Sequence, residues 1–462
     1  MPWESIGLNS SYLRVLRHPD FRYLFLGQSA SAIGDQAVIV ALALYITQRT
    51  GSATDLGLVL AAQSVPLVAL LLFGGVWADR RGGWVRIRIM IVADWARAVL
   101  HGVLAGLILA GGASVVEMVV IEALFGAARA FFQPAYTGLL PQTIPDALIQ
   151  DARALSAATE NVAILVGPAL GTALVLGVGA GEAFALDAAT FVLSAALLAR
   201  IGPRARVGVP SADAQPTSSA DAQPTSMVTE LREGWNEVRS RPWVWVTIAA
   251  FTGAVLCAYA QWYALAPLIA RDHYGGAGLF GVLESVAGAG AVIGSLIGLR
   301  WRPARPMLAG LLLTLAWPLQ NVLFALGAPV ALMIISAIAS GYGFSLFGVW
   351  WETALARHIP AAALSRVSAY DWMGSLALLP VGFAIAGPLA GSFGARFVLG
   401  VGGGLAFAML VVALIPRSTR ELSGEASAQH LTGDVGVEAG CETQVSDVDP
   451  LVGVVHKRRG LD

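Results

Sequence analysis

The chain has 462 residues, of which 56% are hydrophobic and only 13% charged, and its mean hydropathy is +0.69. Soluble domains carry roughly 25% charged residues, so a water-soluble fold would be left with more apolar surface than it can hide. A net charge of −1 excludes the basic excess that draws in nucleic acid, and two scattered cysteines, Cys257 and Cys441, exclude a disulfide framework or a metal cluster. With 52 Gly and 22 Pro, the composition is that of an all-α membrane protein whose helices pack through small residues.

A bilayer core about 30 Å thick takes roughly 20 apolar residues per helix. After an N-terminal segment expected in the cytoplasm (1–20), such runs lie near 21–48, 55–78, 87–110, 114–140, 153–178 and 182–201. The first run is too long for a signal peptide and lacks a small-residue cleavage site, so it reads as a retained helix. These six form an expected bundle over 21–201. A polar segment follows at 202–242, with a perfect tandem eight-mer at 211–218 and 219–226. Such a Pro/Ser/Ala/Asp tract cannot build a core and reads as a flexible cytoplasmic linker. Its end, Glu230 to Arg239, is amphipathic and is expected to lie along the membrane face. Six more runs near 243–270, 278–300, 306–326, 329–355, 366–391 and 396–415 give a second expected bundle over 243–416. The polar tail, 417–462, reads as cytoplasmic and disordered, ending in Lys457-Arg458-Arg459.

Positive charge tests this map. With the N-terminus in the cytoplasm, inside segments hold 24 of the 29 Lys+Arg, and outside loops hold three (Arg49, Arg271, Arg396). That bias stays in phase through twelve crossings, as the positive-inside rule requires. The halves also echo one another. His18-Pro19 parallels Arg241-Pro242, Ile144-Pro145 parallels Ile359-Pro360, and Gly167-Pro168-Ala-Leu-Gly171 parallels Gly387-Pro388-Leu-Ala-Gly391. A duplicated six-helix unit facing its copy across a cavity suits a carrier that works by rocking.

On these motifs the chain resembles the major facilitator superfamily over roughly residues 16–416, and within it the drug- and siderophore-exporter branch that includes macrolide efflux proteins and the enterobactin exporter. The resemblance is carried by Phe21-Arg-Tyr-Leu-Phe-Leu-Gly-Gln28 with Gly34-Asp35, by Thr50-Gly51-Ser52, by Phe132-Gln-Pro134-Ala135 through Leu140-Pro141, and by Leu186-Asp187-Ala-Ala-Thr190-Phe191. Two signatures add to it. Gly75-x-x-x-Asp79-Arg80-x-Gly82 stands where the superfamily's loop motif belongs, although Gly83 and Trp84 replace its usual basic pair and leave Arg86 or Arg88 to stand in. Gly167-Pro168-x-x-Gly171 resembles the exporter motif; the proline bends its helix and the glycines allow close contact. The resemblance implies a gating role for Gly75, Asp79, Arg80, Gly167, Pro168 and Gly171.

Ionisable groups inside spans are costly and are site candidates by default. The resemblance implies that Asp35 in span 1 and Arg129 in span 4 line the cavity as a proton-responsive pair. Glu122, on the same helix as Arg129, is an alternative partner that would make a static bridge. Asp94 and Arg97, three residues apart on one face of span 3, can pair and fit a gating role. Asp187 fits a fold-stabilising hydrogen bond, and His101 a packed neutral histidine or a proton relay. Glu160, Glu284, Trp262, Trp351, Glu352, Tyr370 and Asp371 are expected to line a cavity whose aromatic walls and acids suit a bulky amphipathic ligand. The Gly288-x-Gly290-x-x-x-Gly294-x-x-x-Gly298 run reads as close helix packing.

P-loop, metalloprotease and serine-hydrolase motifs do not occur in the sequence, so no enzyme activity, cofactor or metal is expected. The expectation is a monomeric secondary transporter exporting a small amphipathic molecule in exchange for protons. It would sit among lipids in a bacterial cytoplasmic membrane with both termini inside. The alternatives are a proton-coupled importer, a non-transporting receptor and an intramembrane enzyme. One Lys against 28 Arg fits a GC-rich bacterial genome.

Overall fold

A computed structural model describes residues 14–79, 83–202, 235–298 and 300–422, with side chains described outside 71–83, 361–366 and 369. Arg80, the tandem repeat and the tail's basic cluster therefore lie outside the described residues, as do the side chains of Gly75 and Asp79. Among the described residues there is no strand.

The first six helices are α1 (Pro19–Arg49), α2 (Ala53–Asp79), α3 (Gly83–Leu109), α4 (Val115–Leu139), α5 (Ile149–Gly177) and α6 (Ala180–Leu198). A helix lies over each of the first six expected spans, with its ends shifted by a few residues. Thus α4 opens on a capping box, in which Ser114 Oγ accepts from Glu117 N–H and Glu117 accepts from Ser114 N–H at 2.7 Å.

The second set departs from simple rods. Expected span 7 is α7 (Pro242–Ala254), a π-turn over Val255–Tyr259, and α8 (Ala260–His273). A π-turn displaces carbonyls from the regular ladder. Side chains meet them here, since Asn321 Nδ2 donates to the Ala258 carbonyl at 3.0 Å and Gln261 Nε2 to that of Leu256 at 3.3 Å. After α9 (Gly278–Gly298), span 9 divides into α10 (Pro306–Thr314) and α11 (Ala316–Leu326). Beyond α12 (Val330–His358), span 11 divides into α13 (Ala361–Ala377) and α14 (Leu379–Phe393). Pro318 and Pro380, just past the two breaks, cannot donate back to the preceding turn. The last long helix is α15 (Ala395–Val412), followed by a turn at Arg417–Arg420.

Eleven described helical segments are long and apolar enough to cross a membrane. They leave out α4, which carries Glu122 and Arg129 in its middle. Packing repeats with an offset of six spans. α2 packs on α4 as α9 does on α12, α3 on α6 as α11 does on α15, and α5 meets α9 as α14 meets α2.

Small residues permit the contacts between the two sets. A Cβ at Gly288 would stand 2.6 Å from the Ile164 carbonyl oxygen, one at Gly387 2.5 Å from Thr54 N, and one at Gly278 2.8 Å from Leu176. The Gly281–Thr172 approach is tighter still, and a Cβ at Gly57 would run into the Phe383 carbonyl. Gly290 and Gly294 face α12 instead, against Ile338 and Tyr342, so the glycine-rich helix packs on both sides as its sequence predicts. Arg271 Nη1 adds a hydrogen bond of 2.8 Å to the Thr47 carbonyl. The contacts of Gly57, Gly278, Gly281 and Gly387 and the Arg271–Thr47 bond lie toward the end of the molecule that holds the 50–52, 274–277 and 394 connections, the end expected outside. The largest apolar core lies there too, drawing Leu42 and Leu44 of α1, Leu265 of α8, Phe280 of α9 and Leu399 of α15 into one cluster. Burial of this kind closes that end.

Candidate functional site

Helix α3 places Asp94, Arg97 and His101 on one face, three and four residues apart, and all three are buried. The Arg97 guanidinium lies between two rings, 4.2 Å from the centroids of Phe132 and Phe191. Flat aromatic faces on both sides hold such a cation by its charge and its plane. Its Nη2 pairs with Asp94 and its Nη1 lies 3.9 Å from Asp35 Oδ2 of α1. The expected Asp94–Arg97 pair is therefore present, and it reaches a third helix.

The resemblance implies a pairing of Asp35 with Arg129; the guanidinium within 4 Å of Asp35 is that of Arg97. Both Asp35 and Arg129 do line one small cavity of about 10 Å³, roughly the room of a single water, together with Gln63, His101 and Phe125. The static bridge between Glu122 and Arg129 does not form. Glu122 is fully buried and accepts from Gln63 Nε2 at 2.7 Å.

One turn along α3 from Arg97, His101 Nδ1 stands 2.5 Å from Asp187 Oδ2 of α6, and Nε2 stands 3.6 Å from Glu122 Oε1 of α4. Phe125 stacks flat on the imidazole at 4.0 Å, which fixes the ring plane. Thr190 Oγ1 donates to the Asp187 carbonyl at 2.7 Å and stands 3.5 Å from its Oδ1, and Asp187 lies against Gly34, where a Cβ would collide with it. Sequence reading missed this His101–Asp187–Glu122–Gln63 cluster as a unit. The available signal was the four-residue spacing of Arg97 and His101, which aims both at whatever α4 and α6 present.

The gating glycines of α5 are placed by contact. A Cβ at Gly171 would run into the Ala37 carbonyl and one at Gly167 into Gln36, so the helix lies directly on α1. Pro168 sits inside α5, and its carbonyl accepts from Thr172 Oγ1 at 2.8 Å. Beyond Asp79, Arg86 donates to the Gly138 carbonyl at 2.9 Å and Arg88 lies over the Trp84 ring.

The expected cavity residues divide. Glu284 accepts from Trp262 Nε1 and Tyr263 Oη, each at 2.6 Å. The Tyr259 ring, 4.8 Å from that of Tyr263, joins this acid–aromatic group. Trp262 and Trp351 are buried in packing and serve as donors, Trp351 Nε1 to Asp371 Oδ2 at 2.9 Å. The Tyr370 ring lies 5.7 Å from that of Trp235. Glu160 of α5 and Glu352 of α12 are exposed, although both lie within spans and toward the end opposite the closed one. A larger cavity of about 1090 Å³ lies among α2, α8, α11, α14 and α15. Its lining is mostly apolar, rimmed by Asp272, His273 and Arg396, and includes none of the expected cavity residues.

No cluster of metal-ligating side chains occurs among the described residues. Four carboxylates, two guanidiniums and one imidazole, groups able to hold and pass protons, are thus gathered by α1, α3, α4 and α6, with Arg129 joined to the rest through the small cavity.

Residues 24–371 match the profile described as Major Facilitator Superfamily. The multidrug efflux pump Tap of Mycobacterium tuberculosis is 26% identical over 392 residues, covering 82% of this chain and 88% of that one. Macrolide efflux protein A of Streptococcus pyogenes is 25% identical over 337 residues, covering 71% and 75%. Among solved structures, a bacterial homologue of the human lysosomal transporter Spinster, in an inward-facing and unoccupied conformation, aligns with a TM-score of 0.61 at 15% identity over 88% of this chain and 97% of that one.

Proposed function

The chain belongs to the Major Facilitator Superfamily and is a multi-pass membrane transporter of small molecules, and from that premise we propose that it exports a small amphipathic compound in exchange for protons. The compound would be a drug, a siderophore or a secondary metabolite. Export is supported by the relatives, two of which are named as efflux proteins. The working frame is a monomer of two six-helix bundles, 21–201 and 243–416, in a bacterial cytoplasmic membrane with both termini inside.

One observation carries the coupling: Asp35 borders a water-sized cavity between two guanidiniums, 3.9 Å from Arg97 and sharing that cavity with Arg129. A carboxylate so placed attracts both cations; once protonated it attracts neither strongly, and the helices that carry them are freed to shift. Substrate entering from the cytoplasm meets the exposed acids Glu160 and Glu352 and the Glu284–Tyr263–Trp262 group. Protonation of Asp35 from outside follows when the bundles rock and the closed end opens. Gly75, Asp79, Arg80, Asp94, Arg97, Gly167, Pro168 and Gly171 act in that rocking, and Tyr370 and Asp371 flank the inner mouth.

Everted vesicles with an imposed pH gradient, and the lipophilic cation ethidium as probe, test this. Gradient-driven uptake is expected in vesicles containing the wild type and is expected to vanish with Asp35→Asn. Undiminished uptake by that variant removes Asp35 from coupling. Ethidium gathering inside intact cells would reverse the direction.

A further inference from the structure

We propose that His101 is a second proton-holding station of the transport cycle, exchanging its proton with Asp35 through the water-sized cavity that both side chains line. This rests on the proton-exchange reading given above and names a site that reading does not use.

The geometry points there from several sides. His101 lies between two fully buried carboxylates, Asp187 at 2.5 Å from Nδ1 and Glu122 at 3.6 Å from Nε2. A neutral imidazole has one N–H and serves one of them; an imidazolium has two and serves both. In this conformation His101 Nε2 and Glu122 Oε1 are both buried without a hydrogen-bond partner, and they face each other. Such a pair sits ready to close by a few tenths of an ångström when the ring carries its second proton. Phe125, stacked in parallel on the ring, keeps both nitrogens aimed at their carboxylates.

The groups facing this site are Asp35 of α1, Asp94 and Arg97 of α3, Glu122 and Arg129 of α4, and Asp187 of α6; α2 contributes the neutral Gln63. Four acids against two arginines leave a formal excess of two negative charges in a place where uncompensated charge is expensive. A proton on His101 halves that excess. The transfer balances simply: imidazolium and Asp35 carboxylate become imidazole and Asp35 carboxylic acid, with one water in the cavity as carrier. Once His101 is neutral, its contact with Glu122 is lost, so the α3–α4 junction loosens as Asp35 releases Arg97. Two protonation events are thereby joined to one helix movement.

The test uses the full-length protein. Imidazole nitrogen NMR of the detergent-solubilised wild type, assigned by loss of one signal in His101→Gln, is followed from about pH 5 to about pH 10, the range in which a histidine near carboxylates titrates. A reversible change at His101 whose midpoint moves in Asp35→Asn is expected; a ring that keeps one bare nitrogen throughout, or that ignores Asp35→Asn, overturns the proposal. In everted vesicles the ratio of pH-driven ethidium uptake to ethidium counterflow should fall about a hundredfold in His101→Gln, the lower range for removal of a proton-transfer group. An unchanged ratio sinks the role of His101 and leaves proton exchange standing. A wild type that ignores the gradient sinks both.

Discussion

At the scale of single residues, the membrane interior makes partners obligatory, and Arg97 has the fullest set. It pairs with Asp94, lies near Asp35 and is held between Phe132 and Phe191. Removing one member of a buried ion pair strands the other, at a cost of roughly 3–5 kcal/mol. Arg97→Leu should therefore unfold well below the wild type in a thermal melt in detergent, while Arg97→Leu with Asp94→Leu recovers most of the loss. A single variant as stable as the wild type would mean that Asp94 is not the partner on which Arg97 depends. That Asp94 and Arg97 pair was legible from their spacing along one helix. The arrangement of His101 was not, because Asp187 stands 86 residues away and spacing along the chain carries no information across that gap.

At the scale of helices, close approach at glycines decides which elements meet. Gly288 is where α9 touches α5, with a Cβ already 2.6 Å from the Ile164 carbonyl oxygen. A valine there overpacks the contact by about 1–3 kcal/mol. Since each 1.4 kcal/mol is tenfold in an equilibrium, Gly288→Val should move the population toward a form open at that end. Spin labels near Leu176 and Gly278 would read this as a longer distance, whereas Gly177→Ala, with no neighbour to meet, should leave the distance unchanged. An identical distance distribution in Gly288→Val would mean that the contact does not hold the closed end. Sequence periodicity located these helices well but not the π-turn in span 7 or the breaks in spans 9 and 11. The π-turn depends on which side chain is present to satisfy a displaced carbonyl, as Asn321 does for Ala258.

At the scale of the whole molecule, function depends on which side of the membrane each end faces. Reporter fusions after residues 80, 202 and 422 should score cytoplasmic, and fusions near 112, 275 and 394 external; a reversed pair would overturn the orientation drawn from arginine placement. The closed end would then face the periphery of the cell, and the exposed Glu160 and Glu352 the cytoplasm, as substrate capture for export requires. Sequence alone determined that the chain is a multi-pass helical protein of this superfamily, where its spans fall, and which charges lie inside them. These follow because the bilayer charges its cost residue by residue, leaving a trace in local composition. Only the tertiary structure decided that Asp35 meets Arg97 before Arg129, that His101 stands between two carboxylates, and which end is shut. Those outcomes turn on distances between helices far apart in the chain, and a difference of one turn in how two of them pack is enough to exchange one partner for another.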